Sequence, residues 1–180
     1  MSKSNNNLPN NHMRVIRYLA YGSNLHPARL QARISSAAFS TTAMLRGWSL
    51  NFSKIGRDGS GKCNIVKSDK DAVWGAVYKI SIKDLKQLDV IEGVGKGYRS
   101  SVIHVPSVGA CNAYVAQQSF IDHQQEPYDW YKELVLAGAR YHLFPTEHIT
   151  SIEMTRFKVD FNRKRAKDNL SALVKKKISK

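Results

Sequence analysis

Tyr18-Leu19-Ala20-Tyr21-Gly22-Ser23-Asn24-Leu25 is an apolar run that stops abruptly at three turn-forming residues. Met13, Val15, Ile16, Tyr18, Leu19 and Ala20 supply a strand-like approach, Gly22 is expected to take backbone angles closed to other residues, and Pro27 suits the first turn of a following helix. Such a junction can present backbone N–H groups to an anion. The same residues also serve an ordinary direction change with a capped helix. A lone glycine is not the three-glycine fingerprint of a dinucleotide site. Ser23 lacks the second glycine of a nucleophile elbow, and no His or Asp is tied to it, so it reads as a capping or ligand-binding hydroxyl.

Working outward from that turn, short β-type runs continue to about residue 118. Strands are expected at 13–20, 39–46, 48–54, 63–67, 72–80, 98–105 and 110–117, with short helices near 27–34 and 82–89. Residues 127–141 carry Tyr131, Leu134, Val135 and Gly138 at helical spacing, and Pro145 opens a second helical stretch. Strands followed by late helices give an α+β class, mainly antiparallel.

The chain has 180 residues, of which 42% are hydrophobic, enough for one domain with a substantial core. Residues 1–12 are Asn-rich and expected to be disordered, 13–155 form the domain, and 156–180 are a basic tail. That tail holds ten Lys or Arg against Asp160 and Asp168, a large share of the net charge of +14. Leu170, Leu173, Val174 and Ile178 recur in it at helical spacing. It reads as a solvated, frayed terminus, with a basic amphipathic helix as the alternative. Its clustered lysines and arginines give weak, salt-sensitive attraction and no means of reading a nucleic acid, so nucleic acid is not an expected partner.

No run approaches the roughly 20 apolar residues that span a bilayer, and the N-terminus has no secretion-type segment. A cytoplasmic protein is expected, with Cys63 and Cys111 as buried reduced thiols. The six scattered histidines make no metal-ligand spacing. Gly56-Arg57-Asp58-Gly59-Ser60-Gly61-Lys62-Cys63 mimics a phosphate-binding loop except at its last position. There Cys63 replaces the magnesium-ligating hydroxyl, and a short strand follows in place of a long helix. A glycine-rich connection between two strands explains it.

A second informative stretch runs from Leu85 to Arg99, where Glu92 follows Val90-Ile91 and precedes Gly93, Gly95 and Gly97. At a pocket rim, partial desolvation would raise such a carboxyl toward the range of a general base. A salt bridge with Lys96 or Arg99 is the competing explanation.

Taken in order, Tyr18-Leu19-Ala20-Tyr21-Gly22-Ser23-Asn24-Leu25, Ser36-Ala37-Ala38-Phe39, Val73-Trp74-Gly75-Ala76-Val77-Tyr78 and Asp89-Val90-Ile91-Glu92-Gly93-Val94 resemble the gamma-glutamylcyclotransferase (AIG2-like) family over about residues 16 to 150. Tyr131-Lys132 ahead of Ala137-Gly138-Ala139 resembles the family's helix-borne substrate tyrosine. The resemblance implies a compact mixed β-barrel with flanking helices, acting without cofactor or metal on a small gamma-glutamyl amide or peptide. The α-amino group would attack its own γ-carbonyl, giving 5-oxoproline and releasing an amine or amino acid without consuming water. Glu92 would be the catalytic acid–base group. Tyr18, Leu19, Ala20, Tyr21, Gly22, Ser23, Asn24 and Tyr131 would bind substrate. A monomer or homodimer is expected. The alternative is a non-enzymatic protein of the same fold whose basic tail contacts an acidic partner.

Overall fold

The computed structural model describes residues 14–174. The expected disorder of residues 1–12 and the end of the tail, including Ile178, lie outside the described residues. β1 (Val15–Ala20) leads through the Gly22–Leu25 turn into α1 (Pro27–Arg33), where Pro27 is indeed in the first turn and the His26 side chain accepts from Ala28 N. A long hairpin follows, β2 (Ala38–Ile55) and β3 (Gly61–Ser81). Then come α2 (Ile82–Glu92), β4 (Tyr98–Val105), β5 (Gly109–Ala116), a short 3₁₀ turn at Gln118–Phe120, α3 (Asp129–Tyr141), α4 (Thr146–Glu153) and α5 (Arg163–Val174).

The α+β class and the predominance of antiparallel pairing are both observed. The sheet runs β2-β3-β1-β5-β4, and only β1 and β5 pair in parallel, at Tyr18 and Asn112. β2 and β4 are its outer strands, so the sheet is open and the expected barrel is not closed. The pairs of strands expected at 39–46 and 48–54, and at 63–67 and 72–80, are each one continuous strand. The β2–β3 register jumps from Arg46↔Ala72 to Trp48↔Lys67, so Gly47 and the polar run Ser68-Asp69-Lys70-Asp71 make a bulge, where the sequence pattern suggests chain breaks. Gly56 to Ser60 is the tip of this hairpin, with Gly56 N donating to Ser60 O at 2.8 Å, as expected for a connection between strands.

One continuous core fills the space between the sheet and its helices. Leu25, Leu30, Val77, Tyr78, Leu88, Leu134, Val135 and Ala139 are fully buried in it. Burying each large aliphatic side chain contributes about 1.5–3 kcal/mol against leaving it in water, which anchors α1, α2 and α3 on the sheet.

The tail departs from the frayed terminus expected of it. Within its described part Arg163–Val174 form a helix, α5, as the alternative reading had it, which packs on α1 and α3 with Ala166, Leu170 and Leu173 against the core. A clamp precedes it. Asp160 accepts from Arg165 Nε and Nη2, both at 2.7 Å, and from Trp130 Nε1 at 2.7 Å. The charges of the tail therefore partly fasten it to the domain, a use invisible in a count of lysines and arginines.

The hydrogen bonds from Arg165 hold the Asp160 carboxyl well below the usual carboxylate range, against the opposing effect of burial, with further help from Asn162 N and Trp130. A carboxyl depressed on folding contributes its stability in full above about pH 4 and loses it as the pH falls toward the folded-state value. Asp160→Asn is therefore expected to lower the thermal midpoint by at least about 3 °C at pH 7. The difference from the parent should shrink steadily below pH 4, as followed by circular dichroism.

Candidate active site

The turn after β1 is closed by Leu25 N donating to Gly22 O at 2.9 Å. Gly22 does not use a left-handed backbone angle, contrary to expectation. Its glycine character serves close approach, because a methyl added there would lie 2.9 Å from Cys63 Cβ of β3. On the other side α3 presses on the end of the turn through Gly138, where a methyl would meet Leu25 Cβ at 2.3 Å and His26 N at 2.9 Å. The Leu25 carbonyl accepts from Tyr78 Oη at 2.5 Å and from His142 Nε2 at 2.8 Å, which requires the Nε2–H tautomer of His142.

Asn24 is buried within this turn and has every side-chain polar atom engaged. Its Nδ2 donates to Glu92 Oε1 at 2.8 Å and to Tyr18 Oη at 3.1 Å, while its Oδ1 accepts from Arg33 Nη1 at 3.0 Å. Arg33 Nη1 also lies 3.4 Å from Glu92 Oε1. Glu92 ends α2, and the Gly93 N–H returns to Asp89 O and Val90 O. A carboxylate at the negative end of a helix needs donors from elsewhere, and Asn24 and Arg33 provide them. The ion-pair partner of Glu92 is thus Arg33 of α1, not Lys96 or Arg99.

These groups open onto a narrow recess of about 30 Å³, lined by Tyr18, Tyr21, Gly22, Ser23, Asn24, Cys63, Glu92, Tyr98, Tyr114 and Tyr131. Among the nine sequence-predicted site residues, seven therefore meet here. Leu19 and Ala20 do not line it. They stay inside β1 opposite Val77 and Ala76 with their side chains buried, so they set the position of the turn.

Five tyrosines face the recess. Tyr98 Oη donates to Cys63 O at 2.5 Å, Tyr131 Oη accepts from Cys63 N at 3.1 Å, Tyr114 Oη donates to Asp89 Oδ1 at 2.7 Å, and Tyr21 Oη donates to Tyr114 O. Burial pushes the phenols of Tyr18, Tyr21, Tyr98, Tyr114 and Tyr131 far above their ordinary range. They act as neutral hydrogen-bonding walls at neutral pH. Burial likewise pushes the Cys63 thiol up to about 12, and both cysteines are free, buried thiols, as expected. Among the described residues, Glu92 is the one carboxylate lining this recess.

Past Ser23, Glu92, Tyr98 and Tyr131 the recess widens into a cleft of about 240 Å³. Arg57, Asp58 and Lys62 of the glycine-rich hairpin form part of its wall, so the loop that mimics a phosphate site borders this cleft as the tip of a strand connection.

Sequence reasoning missed Arg33, Tyr98, Tyr114 and Cys63. Arg29 and Arg33 stand four apart on α1 and so share one face, which was the available signal. Nothing local marks Tyr98, Tyr114 or Cys63, because they come from three strands.

A model of the AIG2-like family matches residues 72–152. Human gamma-glutamylcyclotransferase is 33% identical over 139 residues, covering 73% of each chain. The chain belongs to the gamma-glutamylcyclotransferase family. Bovine gamma-glutamylcyclotransferase is 31% identical over 78% of this chain and 80% of its own length. A solved structure described as a gamma-glutamyl cyclotransferase, 27% identical, superposes with a TM-score of 0.72 over 86% of this chain and 99% of that one. The fold of this family member is therefore matched across nearly the whole of that relative.

Gly138→Ala should destabilise the protein by about 1–3 kcal/mol, since the added methyl would meet Leu25 Cβ and the His26 backbone N, neither of them the end of a flexible side chain. Urea denaturation checks this; a change below about 0.5 kcal/mol would show that the contact relaxes freely.

Proposed function

We propose that this chain cyclises the gamma-glutamyl group of a small gamma-glutamyl amide or peptide to 5-oxoproline, with release of the amine or amino acid. The observation that carries this reading is the Glu92 carboxylate at the junction of a tyrosine-lined recess and a wider cleft, fixed there by Asn24 and Arg33. Membership of a family whose human, murine and bovine relatives are named gamma-glutamylcyclotransferase supports it.

The reaction forms one C–N bond, from the α-nitrogen to the γ-carbon, and breaks another, from the γ-carbon to the departing nitrogen. The α-ammonium must first lose a proton, and the leaving nitrogen must gain one. Glu92 accepts the first and returns it to the second. Folding the glutamyl chain onto itself is an intramolecular attack, so a close-fitting recess supplies much of the rate through orientation. Ser23 lines both the recess and the cleft, and Gly22 and Asn24 line the recess, where this turn can meet the substrate's α-carboxylate or the developing oxyanion. The Tyr131 ring and its Cys63-anchored hydroxyl shape the far wall. No step requires a cofactor.

Glu92→Gln keeps an oxygen for Asn24 to bond and removes the proton carrier. It should leave the circular dichroism spectrum unchanged and reduce 5-oxoproline release by at least about 10²-fold. The assay is 5-oxoproline formation at neutral pH from gamma-glutamyl amino acids, gamma-glutamylamines and glutathione. Absence of product from the whole panel would sink the enzymatic reading, and an undiminished Glu92→Gln rate would remove Glu92 from the chemistry.

A further inference from the structure

The wider cleft has an unusual charge. Arg29, Arg33, Lys54, Arg57, Lys62 and Lys96 line it, against two carboxylates, Asp58 and Glu92. Both carboxylates are already engaged. Asp58 pairs with Lys62 at 2.8 Å, and Glu92 with Arg33. Among the described residues, Arg29, Lys54, Arg57 and Lys96 have no carboxylate within ion-pair distance.

Arg29 is the most telling of the four. Its side chain is almost entirely buried, yet its guanidinium is held only by neutral groups, Asn169 O at 2.8 Å and Asn169 Oδ1 at 3.3 Å, and its Nε has no partner. Lys54 is also buried, with its ammonium over the Tyr98 ring. Keeping cations out of water without a counter-charge is expensive unless an anion arrives to pair with them. Arginine and lysine converging on one concave surface bind carboxylates well, the guanidinium through two parallel hydrogen bonds.

The glutamyl head brings a single carboxylate, and on the reading above it lies in the recess. Anything that balances the cleft must therefore come from the other side of the scissile bond. We infer that this chain prefers gamma-glutamyl substrates whose leaving group carries two or more carboxylates, an acidic amino acid or a short acidic chain, over those that release a neutral amino acid or an amine. This inference rests on the cyclotransferase reading and deepens it. An ordinary amino acid leaving group offers one carboxylate to four uncompensated cations. A simple amine offers none, and a leaving group with a free ammonium is repelled. The cleft itself is only about 240 Å³, which suits a small polyanion and is too small for a nucleic acid strand.

The test compares initial rates of 5-oxoproline formation from gamma-glutamyl-glutamate, its neutral isostere gamma-glutamyl-glutamine, and gamma-glutamyl-ethylamide. The expected order is that given, with kcat/KM for the first exceeding that for the second by at least about tenfold at low ionic strength. Added sodium chloride should shrink the ratio, since the preference is electrostatic. Arg57 and Lys96 are exposed, so their replacement is compatible with folding, and Arg57→Gln with Lys96→Gln should also shrink it. A ratio near one or inverted, with good turnover of the neutral isostere, would overturn the preference and leave the cyclotransferase reading standing. A ratio indifferent to salt and to the double variant would overturn it too, by assigning the discrimination to shape. No 5-oxoproline from any of the three would defeat both.

Discussion

The side-chain amide of Asn24 joins three elements of the fold. Through two N–H groups and one oxygen it ties the turn after β1 to the end of α2 at Glu92, to Tyr18 of β1 and to Arg33 of α1. A buried amide must satisfy all of these bonds or lose stability, so its partners are held at once in one arrangement. Glu92 has a fixed position because Asn24 does. Asn24 in turn is fixed because its turn is wedged between Cys63 of β3 and Gly138 of α3, with no space for a further methyl on either side.

That arrangement divides the cavity into two chemically different parts. The inner recess is walled by phenols kept neutral by burial, which can accept and donate hydrogen bonds without titrating near neutrality. The outer cleft is walled by cations from α1, from the hairpin β2–β3 and from the loop before β4, and closed at one side by α5 through Asn169. Glu92 stands at the boundary.

Much of this was legible in the chain itself. Turn residues at Gly22-Ser23-Asn24, Pro27 at a helix start and the apolar spacing of α3 follow from local rules, and each is observed, whereas α2, expected at 82–89, runs on to Glu92. Local rules failed where a signal had two physical meanings. Gly47 and the polar run after Lys67 read as chain breaks but are a bulge in a long hairpin, because neighbouring strands supply the pairing that the sequence pattern lacks. The basic tail reads as a solvated terminus, yet Asp160 clamps Arg165 and the apolar stripe of α5 finds a cover on α1 and α3. Gly22 looks like a residue needed for its backbone angles and is needed for its missing side chain.

By itself the sequence determined the elements that local periodicity and turn residues encode, the α+β class, and the carboxylate and turn that meet at one recess. Tertiary structure alone decided which partners those groups have. The choice of Arg33 for Glu92, the gathering of Tyr98, Tyr114 and Cys63 around the recess, the open sheet and the unbalanced cations of the cleft all depend on residues up to 140 positions apart. Periodicity reports which face of an element is apolar, over a span of a few turns. It carries no information about what that face will meet, because that is set by how the elements pack together.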